Sequence, residues 1–118
     1  MKLEKITYAG HSAAFIEAGG YTIAIDPWLE GNPRCPESLK NPKKLDLIVL
    51  THGHSDHAGD ATRLMRETNA SLAATWELAM ILIKEGITEN RVIAMNKGGS
   101  IDFHGLRVTL TNAFHSSS

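Results

Sequence analysis

Among its 118 residues this sequence has a single cysteine, Cys35. One thiol cannot build an internal disulfide framework. There is also no cluster of Lys and Arg, and the formal net charge is only −1. A nucleic-acid surface normally needs a basic stripe, so nucleic acid is not an expected partner. The longest apolar run falls far short of the ~20 residues that span a bilayer, so no membrane role is expected. Met1-Lys2-Leu3-Glu4-Lys5 lacks the apolar core of a signal peptide, which makes the cytoplasm the expected compartment. Internal repeats and low-complexity linkers are missing too. What is present is 42% apolar residues, enough for one core. The length favours one domain over residues 1–118.

Three of the six histidines fall with an aspartate inside six residues, His52-Gly53-His54-Ser55-Asp56-His57. Packing gives no reason to crowd such groups in a nearly neutral domain. Imidazole nitrogen and carboxylate oxygen are ligands preferred by zinc, manganese and iron. Just before them, Leu45-Asp46-Leu47-Ile48-Val49-Leu50 reads as a short buried strand. If the backbone stays extended past Thr51, His52 and His54 point to one side. Gly53 allows a tight turn between them, and His57 follows near a helix start. One strand end can therefore present several ligands to one point. The plain alternative is a polar loop with unrelated histidines, and four ligand side chains at this spacing argue against it.

Around this centre the elements alternate. Residues 2–9 read as a strand, and Ala14–Glu17 with Tyr21–Ile25 as a hairpin around Gly19-Gly20. Pro27, Pro33, Pro36 and Pro42 all fall in one loop, and such long loops are usually functional or mobile. Ala58, Ala61, Leu64 and Met65 share a helical face, which predicts a helix running to about Asn69. Ser71–Ala74 reads as a short strand. Thr75 can cap a second helix, and Gly86 can end it. That helix carries Met80-Ile81-Leu82-Ile83, apolar on every face. Such a run suits burial against a second layer or a partner, with crowding inside this chain as the alternative. Arg91–Ala94 reads as a strand, and Ile101 to Leu110 as a hairpin turning at His104-Gly105. The order predicts an α/β layered domain.

The His-x-His-x-Asp-His run resembles the motif of the metallo-β-lactamase superfamily. Tyr8-Ala9-Gly10-His11-Ser12 and Ile25-Asp26-Pro27-Trp28 look like its branch of uncharacterised metal-dependent hydrolases related to ascorbate-6-phosphate lactonase. The resemblance covers the whole chain, and the chain is expected to cover about the first half of the family's domain. It implies the N-terminal half of an αββα sandwich, a mixed sheet with helices on one face. It assigns His52, His54 and His115 to a first metal site, and Asp56 and His57 to a second. The family completes the second site with an aspartate and a histidine from the later half. One chain is therefore not expected to complete it.

The implied cofactor is a divalent metal, zinc first, with manganese or iron as alternatives. Three neutral imidazoles leave the ion its full charge and an open position, where bound water falls to a pKa of ~7. The implied reaction is hydrolysis by metal-bound hydroxide of an ester, lactone, amide or phosphoester in a small-molecule substrate. This chain alone is expected to be feeble. Asp56 is expected to ligate or to hold a proton, and His11, in a strand-end turn, to act in the substrate pocket, with a plain turn histidine as the alternative. Asp26 and Asp60 could orient the ligating imidazoles. A cap or first-turn role on the following helix is the simpler one for Asp60, and a purely structural role stands level for Asp26. Simpler roles also suit the rest: Cys35 a bystander thiol, Trp28 a loop anchor with a place at the pocket mouth as the alternative, His104 and Lys97-Gly98-Gly99 turns. Two further hypotheses stand beside the hydrolase. One is a metal-binding half-domain without turnover that pairs with a second copy or a missing half; the other is a di-iron redox module.

Overall fold

A computed structural model describes residues 2–111. Six strands form one sheet in simple spatial order: β1 (Leu3–Tyr8), β2 (Ala14–Ala18), β3 (Tyr21–Ile25), β4 (Leu47–Val49), β5 (Ser71–Thr75) and β6 (Val92–Met95). The first three pair antiparallel, and β3 to β6 run parallel. Gly19 and Gly20, both at positive φ, close the two-residue turn that sets Ala18 opposite Tyr21. β4 is buried on both faces, as its unbroken Leu47-Ile48-Val49 run requires of a central parallel strand.

The larger core lies on one face of this sheet. There Phe15, Ala24, Ile48 and Leu72 meet helices α2 (Ala61–Glu67) and α3 (Trp76–Lys84) through Leu64, Met65, Leu78 and Leu82. On the other face Ile23, Leu47, Val49, Ala73 and Met95 meet a hairpin, β7 (Ser100–Phe103) with β8 (Leu106–Thr109). The helices thus occupy one face of a mixed sheet, as expected. The hairpin turns at His104-Gly105, where the His104 ring stacks on Tyr21 at 4.5 Å, a packing role.

Local signals place α3 well. The Thr75 hydroxyl accepts from the Leu78 amide at 3.4 Å. At the other end Gly86 takes φ +115°. The Ile87 and Gly86 amides then donate to the Leu82 and Ile83 carbonyls, closing the helix end. The apolar run on α3 divides. Leu82 is buried with Leu78 and Ala79, whereas Ile81 is 50% exposed and Met80 and Ile83 sit at the margin.

Two expectations are corrected. The single helix from Ala58 to Asn69 is two pieces, a short α1 (Ser55–Ala58) and α2, broken at Gly59-Asp60. Asp60 does not cap α2 with its side chain either. Its Oδ2 instead accepts from the Leu29 and Glu30 amides at 2.6 and 2.9 Å. A long-range partner has taken the carboxylate that local pattern offers to the helix. The proline-rich loop is thereby anchored, and Leu29 and Cys35 from it are buried in the helix-side core.

Candidate metal centre

Strands β3 and β4 run parallel, and both end at the same edge of the sheet. Ligands of open α/β sheets bind outside such carboxyl ends. Asp26 follows β3 and Thr51-His52 follows β4. The backbone runs non-helical to His54, which takes extended angles at the N-cap of α1. Gly53 is not among the positive-φ glycines, so no left-handed turn separates the two histidines. Asp56 and His57 come round on α1. From the β1–β2 connection, Gly10 and His11 both take positive φ, which turns the chain sharply toward the same edge.

Four imidazoles meet there. His57 lies between His52, at 4.1 Å between ring centroids, and His11, at 5.2 Å. His54 stands edge-on to His52 at 4.7 Å. His11 Nε2 is 3.3 Å from Asp56 Oδ2, and His57 Nε2 is 3.8 Å from Asp56 Oδ1. Two donor sets converge: His11 with Asp56 and His57, and Asp26 with His52 and His57. Within each set the donor atoms lie within 4.8 Å of one another. His115 falls outside the described residues.

Asp26 organises the centre. It is 3% exposed and, unusually for a residue with a side chain, takes φ +44°. Its Oδ1 accepts from the Thr51 amide at 2.8 Å. Its Oδ2 accepts from the Thr51 hydroxyl at 2.6 Å and from His57 Nδ1 at 2.9 Å. A carboxylate can only accept, so His57 carries a proton on Nδ1, which places its Nε2 on the side of Asp56. The Thr51 hydroxyl has spent its proton on Asp26. Toward His52 Nδ1, 2.9 Å away, it must therefore accept. His52 therefore also carries a proton on Nδ1. One buried carboxylate thus fixes the tautomer of two histidines, the arrangement usually found behind metal-bound imidazole. With three donors already on it, Asp26 is an orienting group before it is a ligand.

Sequence reading missed Thr51, whose only signal was its place before the motif. It also missed Asn32, which is 1% exposed. The Asn32 amide donates to the Gly10 and Trp28 carbonyls, both at 3.0 Å, and ties the His11 turn to the proline-rich loop. Trp28 stands edge-on to His11 at 5.4 Å, beside a cavity of about 370 Å³. Another hollow, of about 260 Å³, lies at the amino ends of β3 and β4 near Thr22 and Leu45, away from the histidines. Cys35 is buried and far from this chemistry in character: burial pushes its thiol above its ordinary value, and Lys40 offsets this in part.

A mixed sheet that gathers imidazoles and carboxylates at its carboxyl edge defines a metal-binding α/β domain. More specifically, the chain belongs to the metallo-beta-lactamase superfamily, whose profile matches residues 6–112. Similar proteins include UPF0173 metal-dependent hydrolases of Chelativorans sp. and Bacillus cereus, each 44% identical over 97% of this chain. The chain spans about half the length of these curated relatives, 49% and 48% respectively. Among solved structures it is similar to Igni18, a metallo hydrolase of Ignicoccus hospitalis, at 42% identity and a TM-score of 0.82, over 95% of this chain and 49% of that one. The fold alone is shared with CmlA, a diiron beta-hydroxylase of Streptomyces venezuelae, at 23% identity and a TM-score of 0.62, over 81% of this chain and 21% of that one.

Proposed function

We propose that this chain is the metal-loading half of a hydrolase that acts on a small-molecule ester, lactone, amide or phosphoester. The observation that carries the reading is the Asp26–Thr51 network, which orients the His52 and His57 rings within one cluster of imidazoles and carboxylates. Two neighbouring positions are proposed. His52 and His54, with His115, would hold a first divalent ion; Asp56 and His57 would hold a second. His11, 3.3 Å from Asp56, is proposed as an additional donor to the second position. That revises the expectation that this chain has only two ligands to offer there. The mixed nitrogen and oxygen donor set fits zinc first, with manganese or iron as alternatives. A bound divalent ion supplies Lewis acidity to the bond under attack and acidifies water.

The chain's own residues do the rest. Asp26 and Thr51 fix imidazole orientation, Asp56 offers a half-exposed carboxylate that can hold a proton, and Trp28 with His11 walls the cavity. The proposed partner is the missing later half of the domain or a second copy of this chain. Exposed Ile6 and Tyr8 on one face of β1 support a covering partner. The cytoplasm is the proposed compartment, supported by the free thiol of Cys35.

The test is hydrolysis of a nitrophenyl ester and phosphodiester panel with added zinc or manganese. The chain is assayed beside a version extended to the length of its relatives. The extended protein should turn over, the chain alone only weakly, and chelator or His54→Ala should abolish both. Activity that survives His54→Ala contradicts the reading.

A further inference from the structure

The cavity beside the histidine cluster is lined by Tyr8, His11, Trp28, Asn32, Pro33 and Arg34. Its volume of about 370 Å³ lies at the small end of ligand pockets. Its walls differ in character. His11, paired with Asp56, marks the end that meets the cluster. Trp28 and Tyr8 offer ring surface. Arg34 brings the one permanent positive charge among these lining residues.

Arg34 is held in place by its backbone. Its amide donates to Asn32 Oδ1 at 2.9 Å. Its backbone also lies against Gly10, where an added Cβ would come within 2.8 Å of the Arg34 carbonyl carbon. Gly10 sits at φ +96°, so both its conformation and this close approach call for glycine. Asn32 is buried, and its amide also holds the Gly10 and Trp28 carbonyls. A buried asparagine and a glycine thus fix the root of a long cationic side chain. Among the described residues the Arg34 guanidinium has no ion-pair or hydrogen-bond partner. An exposed arginine without a carboxylate partner, on a fixed backbone among the residues that line a cavity, is suited to bind an oxyanion from outside the chain.

We propose that Arg34 determines substrate class by binding a carboxylate or phosphate oxyanion at one end of a small substrate with a flat body. The flat part lies along Trp28, and the bond to be cut lies at the His11 and Asp56 end. The negative Asp56 and the positive Arg34 give the cavity a polarity that orients an anionic substrate one way. This assignment takes its meaning from the hydrolase reading, since the cavity borders the same cluster.

Binding can be read without turnover. The chain has two tryptophans, and Trp76 is 53% exposed on α3. A Trp76→Phe chain therefore reports from Trp28 alone. With chelator present, so that a metal cannot hold the anion, its fluorescence is titrated with phenylphosphonate, benzoate and neutral benzyl alcohol. The oxyanion probes should bind at least about tenfold more tightly than the alcohol. The stronger of the two probes identifies phosphate or carboxylate as the preferred source. Arg34→Met should erase that preference and leave benzyl alcohol within about twofold, and Arg34→Lys should keep part of it. Phenylphosphonate and benzoate affinities unchanged in Arg34→Met would overturn the proposal. So would no response of Trp28 to either oxyanion up to about 10 mM. Failure of the hydrolase reading would appear separately, as absent turnover with this binding preference intact.

Discussion

Replacing Asp26 by Asn separates orientation of the imidazoles from stability. Asn keeps the shape and tolerates the positive φ that Asp26 adopts. One oxygen can still accept from the Thr51 amide, where Oδ1 now does so at 2.8 Å. The new amide group would then stand where Oδ2 accepts from the Thr51 hydroxyl and His57 Nδ1. An amide there donates, so His57 must shift its proton to Nε2 or turn away. Either response removes the ligand atom. Loss of an orienting partner of this kind weakens metal binding by about 10–100-fold. Asp26→Ala removes all three acceptor contacts. Hydrogen bonds to a charged group contribute about 1.5–3 kcal/mol each, and exposed Thr51 can recover part from water. The expected destabilisation is therefore roughly 3–5 kcal/mol. Calorimetric zinc titration reads the first effect, and denaturant unfolding the second. Asp26→Asn should keep most of the stability and lose most of the affinity. Asn and Ala variants that both bind zinc within twofold of the parent would refute the orienting role.

Three further outcomes are expected. Asp60→Ala should release the Leu29 and Glu30 amides, cost roughly 2–4 kcal/mol, and speed hydrogen exchange across the proline-rich loop while α3 stays protected. At Asp46 burial pushes the carboxyl up, but Lys44 and the Thr22 amide outweigh it and hold the group below its ordinary 3.8. Its contribution is thus present above that value and lost as pH falls through the lower folded one, so Asp46→Asn should flatten the acid limb of the stability curve. Cys35, buried with its thiol pushed up from 9.0, should react with a disulfide reagent at neutral pH far more slowly than the same thiol in denaturant.

Local signals were legible in the sequence where the chain answers to its near neighbours. Gly19-Gly20, Thr75 and Gly86 do what their conformational preferences dictate, within four residues of their partners. The alternating Ile101 to Leu110 hairpin also obeys its own period. The failures are long-range. Asp60 does hold the N-cap position of α2, but nothing local shows that the Leu29 and Glu30 amides, some thirty residues earlier, will claim its side chain. The helix expected from Ala58 breaks beside it, and an added Cβ at Gly59 would collide with the Ser55 carbonyl. The motif histidines and His11 were visible as candidates, and the structure brings His52, His54, Asp56, His57 and His11 together. What one-dimensional pattern could not show is how Asp26 and Thr51 choose the tautomers. That choice depends on β3 and β4 lying side by side.

Zinc stoichiometry measured on the purified chain and its variants tests the metal centre most directly. Elemental analysis after zinc loading and dialysis should find one tightly held ion, with a second, weaker ion detected by titration. His54→Ala should lose the tight ion, and Asp56→Ala or His11→Ala the weak one. A parent chain that retains no zinc, or a His54→Ala chain that binds it as the parent does, would contradict the account.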